Sequence, residues 1–86
     1  MRRETLANGD TRLTLQDTAS VDLDPKEWGW VQHLPPYGGG GIRVRDFHIA
    51  QIPRGGVRVN IGDVTEDMSW ETWLDLIAGI PEKVVP

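Results

Sequence analysis

Two prolines, a tyrosine and four glycines, Pro35-Pro36-Tyr37-Gly38-Gly39-Gly40-Gly41, interrupt this chain near its middle. Proline removes a backbone donor and polyglycine loses the most entropy on ordering, so neither sustains a helix or a central strand. The run reads as a flexible Gly-rich loop over residues 35–41. It leaves two segments of similar length, and chains below about 40 residues rarely bury enough apolar surface to fold alone. The segments are therefore expected to share one core, as a single small domain over residues 1–86.

No cysteine is present to staple that core, which removes disulfides and thiolate zinc sites from consideration. Four tryptophans, Trp28, Trp30, Trp70 and Trp73, carry much of the apolar surface instead. The charge pattern Met1-Arg2-Arg3 lacks the apolar run of a signal peptide. No stretch approaches the ~20 apolar residues that span a bilayer. The expected compartment is the cytoplasm, without a membrane partner.

Local signals give the elements. Asn8-Gly9 tolerates the positive φ of a tight hairpin, and Thr11–Gln16 alternates after it. Asp17–Leu23 reads as an extended connector. Asp24-Pro25 has the form of a helix start, N-cap then Pro, although a short strand through Trp28 and Trp30 has suitable parity too. Residues 42–52 and 57–61 read as strands of a second hairpin around Pro53-Arg54-Gly55-Gly56. The first of these changes phase between Val44 and Phe47, which a β-bulge near Arg45-Asp46 would reconcile. From Ser69, an N-cap residue, Trp70, Trp73, Leu74 and Ile77 recur at helical spacing, with Glu71 and Asp75 on the solvent side. Gly79 and Pro81 stop that helix, and residues 82–86 read as a frayed tail or short extended edge. The expected fold is α+β: a small antiparallel sheet built from two hairpins with a C-terminal amphipathic helix packed on one face. A small SH3-like barrel closed by the helix is the alternative.

Catalytic chemistry finds no foothold. His33 and His48 do not form a metal-ligand spacing, and Asp46 with His48 reads as a polar pair on a strand. Ser20 and Ser69 lie in no nucleophile context. Asp63, Glu66 and Asp67 form an acidic approach to a helix N-terminus, where negative charge is favoured. The glycine run lacks the Lys-Ser or Lys-Thr of a phosphate loop, and a strand follows it rather than a helix. The chain is read as non-enzymatic, with no cofactor and no metal.

Two binding readings remain. The net charge is −4, yet residues 42–58 carry Arg43, Arg45, Arg54 and Arg58 against Asp46 alone. A β-ribbon bearing arginines can enter a major groove, which makes a nucleic-acid-binding regulator using the hairpin 42–58 the second reading. The first is a small protein-binding accessory protein, an adaptor, inhibitor or assembly factor acting by stoichiometric contact, of a kind common in bacteria and phages. Trp28, Trp30 and Tyr37 beside the glycine loop are its aromatic anchors, with the same arginines at hand, since Trp, Tyr and Arg dominate interface hot spots.

Overall fold

The computed structural model describes residues 1–33, 40–53 and 55–78, and the backbone of residues 83–85. Three strands form an antiparallel meander: β1 (Arg2–Leu6), β2 (Thr11–Leu15) and β3 (Ala19–Leu23). Helix α1 (Pro25–Gln32) follows. A second antiparallel meander contains β4 (Gly41–Val44), β5 (Phe47–Ile52), β6 (Gly56–Ile61) and β7 (Val64–Ser69). Helix α2 (Trp70–Ala78) continues directly from β7, and β8 (Lys83–Val85) lies parallel to β1 at the edge of the first sheet.

The fold is α+β with a C-terminal helix, and the described residues form no closed barrel. Each expected hairpin is the nucleus of its own sheet. Gly9 supplies the positive φ of the β1–β2 turn, at 92°, and the expected connector before Asp24 contributes β3. In the second sheet the phase change between Val44 and Phe47 is a turn, not a bulge. Arg45-Asp46 joins two antiparallel strands in the register Val44↔Phe47, with Arg45 at φ 51°. A turn restores the same face as a bulge does, so Ile42, Val44, Phe47 and Ile49 share a core side either way. Gly62-Asp63 makes a similar turn into β7. That strand carries little apolar alternation, so Asp63, Glu66 and Asp67, expected as an acidic approach to the helix, belong instead to a turn and a strand.

Gly41 begins β4, and Gly40 exchanges two hydrogen bonds with Gln51, so the C-terminal end of the glycine run belongs to the sheet. Residues 35–39, including Tyr37, lie outside the described residues. Gly56 is required for packing: a Cβ there would stand 2.5 Å from the Met68 carbonyl oxygen.

One hydrophobic cluster draws on both sheets and both helices. Leu13, Leu15, Val21 and Leu23 come from the first sheet, Val44, Phe47, Ile49, Val57, Val59 and Ile61 from the second, and Val31 and Trp73 from the helices. Trp73 is fully buried, with Trp70, Leu76 and Ile77 half-buried beside it. Leu74, expected in this stripe, is 41% exposed. Seating Trp73 in the core rotates the next residue about 100° around the helix, and Leu76 fills the core side instead.

Candidate functional site

Helix α1 is the element on which the aromatic candidates stand, and its start is strongly specified. The Asp24 carboxylate accepts from the Glu27 N–H at 2.8 Å, and Glu27 Oε1 accepts from the Asp24 N–H at 3.0 Å, a reciprocal capping box with Pro25 at the first turn. Val31 anchors the helix to the core. Gly29 and the following prolines leave helix and strand open in sequence; the capping box decides for helix.

Trp28 and Trp30 lie about 200° apart around this helix and have different fates. Trp28 turns inward, half-buried, with its ring edge-on to Trp73 at 6.4 Å between centroids and 74° between planes. The Arg3 guanidinium lies 5.3 Å from the Trp28 ring centroid. Arg3 points to the core side of β1, the same face as Leu13, and its Nη1 donates to Leu76 O at 2.6 Å and Ile77 O at 3.1 Å. A cation thus caps the C-terminal carbonyls of α2, and burial pulls its pKa below the usual arginine value. Trp28 is therefore part of the seam that joins α1, β1 and α2. Trp30 faces outward, 51% exposed, with the Lys26 ammonium 5.4 Å from its ring centroid. His33 Nδ1 lies 2.6 Å from Gly29 O at the end of the same face.

The arginines do not converge. Arg58 forms a fork with Asp67, Nε–Oδ1 2.8 Å and Nη2–Oδ2 3.0 Å, across β6 and β7. The bond to Asp67 raises the arginine's pKa and lowers the aspartate's. Arg45 leaves the turn sideways and donates to Glu27 Oε2 and to the Asp22 carbonyl oxygen, tying the second sheet to α1 and β3. Its pKa is raised, first by the hydrogen bond to Glu27. Arg43 is exposed on the outer face of β4, opposite His48, with no ion pair among the described residues. Arg54 lies outside the described residues. The basic segment is also not a protruding ribbon: β4 and β7 flank β5 and β6, and β7 pairs along β6 as far as Gly56↔Ser69.

Sequence reasoning missed Lys26, Leu74 and Arg3. Lys26 was legible as the residue one helical turn before Trp30. The position of Leu74 beside Asp75, with Glu71 one turn earlier, was a signal for exposure. Nothing in the sequence distinguished Arg3, on the core side, from Arg2, on the solvent side, because strand parity needed the register of β1 on β2.

Among the described residues no group of three His, Asp or Glu side chains is placed to hold a metal ion, and no helix is long and apolar enough to cross a membrane. An open depression of about 340 Å³ beside Ile52, Pro53, Arg58 and Asp67 lies on the outer face of the second sheet. Its charges neutralise each other. Compared with protein-family models, with curated proteins and with solved structures, the chain matches none.

Proposed function

We propose that this chain is a protein-binding module that acts by stoichiometric contact through the outward face of α1. The observation that carries this reading is Trp30, a large aromatic side chain half exposed on a rigidly capped helix, with a lysine against its ring. An anchor of this kind releases much surface water on contact and has few rotamers to lose. The arginines support the same ranking. Arg45 and Arg58 are occupied by carboxylates of their own chain, so a phosphate would have to displace those partners.

The test compares the wild-type chain with Trp30→Ala and with Arg43→Ala in affinity purification from host lysate after nuclease treatment. This reading expects a nuclease-resistant 1:1 protein complex that Trp30→Ala abolishes and Arg43→Ala leaves intact. A parallel anisotropy titration against random duplex DNA at ~10⁻⁶ M protein and physiological salt is expected to show no binding, since even dedicated binders show non-specific Kd values of about 10⁻⁴ to 10⁻⁶ M. Sub-micromolar, salt-sensitive DNA binding lost in Arg43→Ala would overturn the reading in favour of nucleic acid.

A further inference from the structure

Trp30 and Leu74 stand out among the described residues as large hydrophobic side chains left exposed. Each sits in a helical stripe of identical spacing. On α1 the stripe is Lys26, Gly29, Trp30 and the C-cap residue His33. On α2 it is Glu71, Leu74, Asp75 and Ala78, all exposed. Residues at i, i+3, i+4 and i+7 share one face of a helix, so each stripe presents an apolar side chain, a small residue and charge of one sign. The signs are opposite. The α1 stripe holds an ammonium and no carboxylate, because Glu27 turns away to Arg45. The α2 stripe holds two carboxylates and no cation. Lys26, Glu71 and Asp75 have no ion-pair partner among the described residues.

Two local choices on these stripes oppose folding and are not needed by it. Gly29 lies in the interior of α1, where glycine is unfavourable, yet a Cβ there would meet nothing within 4 Å. Glu71 lies in the first turn of α2, where the helix dipole favours it, but Asp75 one turn later forms a like-charge i,i+4 pair with it, which destabilises a helix. A partner across the stripe gives both a use: Gly29 lets another backbone come close, and the carboxylate pair meets a cation.

Resting on the reading of α1 as a protein-binding face, we infer that its stripe docks on the α2 stripe of a second copy of this chain, head to tail, with Trp30 against Leu74 and Lys26 against Glu71 and Asp75. The contact is heterologous, because the two surfaces differ, so each copy of a dimer retains one free stripe, the pair together one of each kind, and association can continue past the dimer. Two single stripes make a small interface, below ~1,200 Å² in total, which belongs to the weak and transient class.

Sedimentation of the purified chain tests this between about 20 µM and 1 mM, the range in which weak interfaces are populated. The weight-average mass is expected to rise above the 9.6 kDa of one chain and to fall back when ionic strength goes from about 0.05 to 0.5 M. Trp30→Ala blocks the α1 stripe and Leu74→Lys the α2 stripe; both positions are exposed, and thermal melting checks that each variant folds. Each variant alone is expected to remain monomeric, and their equimolar mixture to stop at twice the monomer mass, because one intact stripe of each kind survives. A wild-type chain that stays monomeric to about 1 mM overturns the inference. A self-associating wild type whose variants do not restore a dimer on mixing overturns it too, in favour of a two-fold contact. If the wild type is monomeric while Trp30→Ala still abolishes capture of a different protein, the proposed function stands and this inference alone falls.

Discussion

Arg45 carries two opposing contributions that two substitutions separate. Its backbone sits at φ 51°, in the left-handed region that side chains with a Cβ avoid, at a cost of roughly 1–2 kcal/mol. Its side chain bridges α1 and β3 through Glu27 and the Asp22 carbonyl. Because the Arg45 side chain is 53% exposed, the ion pair is screened, and with the second hydrogen bond the clasp contributes about 1 kcal/mol. Arg45→Ala loses the clasp and keeps the strain, so it should destabilise by about 1 kcal/mol. Arg45→Gly loses the same clasp and removes the strain, against roughly 0.4–1 kcal/mol of added unfolded-state entropy. Glycine should therefore exceed alanine by about 0.5–1 kcal/mol, with stability close to wild type. In a domain of this size 1 kcal/mol moves Tm by about 4–8 °C, so differential scanning calorimetry resolves the order wild type ≈ Gly > Ala. If Ala melts at or above Gly, the turn is not held in the left-handed region. If both match wild type, the clasp contributes nothing and Arg45 is free to serve a partner.

Trp73→Ala should cost about 3–5 kcal/mol, enough to melt the domain near ambient temperature. Trp73→Phe should cost less than half as much, because the indole N–H it removes is buried without a hydrogen-bond partner among the described residues and such a donor carries about 1–3 kcal/mol of penalty; urea titration of both variants checks this. Gly29→Ala should stabilise by up to about 1 kcal/mol, whereas Gly56→Ala should destabilise, because Met68 O leaves no room; paired thermal melts read the opposite signs. Hydrogen bonds from Arg12 and Arg58 hold the carboxyls of Asp22 and Asp67 below the ordinary aspartate range. A depressed folded pKa gives stability that is present above the unfolded pKa, near 4, and lost as pH falls through the folded value. Tm should therefore drop below about pH 4, and the drop should shrink in an Arg12→Met, Arg58→Met variant.

The elements legible in the sequence are those whose local chemistry agrees with their tertiary role. Asn8-Gly9 makes the first turn, Asp24-Pro25 starts α1, and Ser69 caps α2 by accepting from the Thr72 N–H at 3.1 Å. The elements that escaped depend on partners distant in sequence. Arg45-Asp46 lacks the Gly or Asn that signals a turn, and its conformation is held by Glu27 and Asp22. Strand β7 turns Glu66 inward, which breaks the apolar alternation, because its carboxylate receives the Met1 ammonium at 2.7 Å. For the candidate site, composition pointed to tryptophan and arginine but not to which ones remain available. Periodicity placed Leu74 on the apolar stripe, and only the seating of Trp73 turned it out. The basic segment looked like a surface for phosphate because cross-strand neighbours such as Asp67 opposite Arg58 cannot be read without the register.

The account depends on Trp30 being the tryptophan that the free chain leaves for a partner. Its four indole N–H groups give separate resonances in a ¹H–¹⁵N spectrum, and a soluble gadolinium chelate relaxes each according to its exposure. In dilute solution the Trp30 resonance is predicted to relax fastest and that of Trp73 slowest, with Trp28 and Trp70 between them. A Trp30 indole as protected as that of Trp73 would show that the outward face of α1 is already covered in the free chain, and would contradict the proposed function at its base.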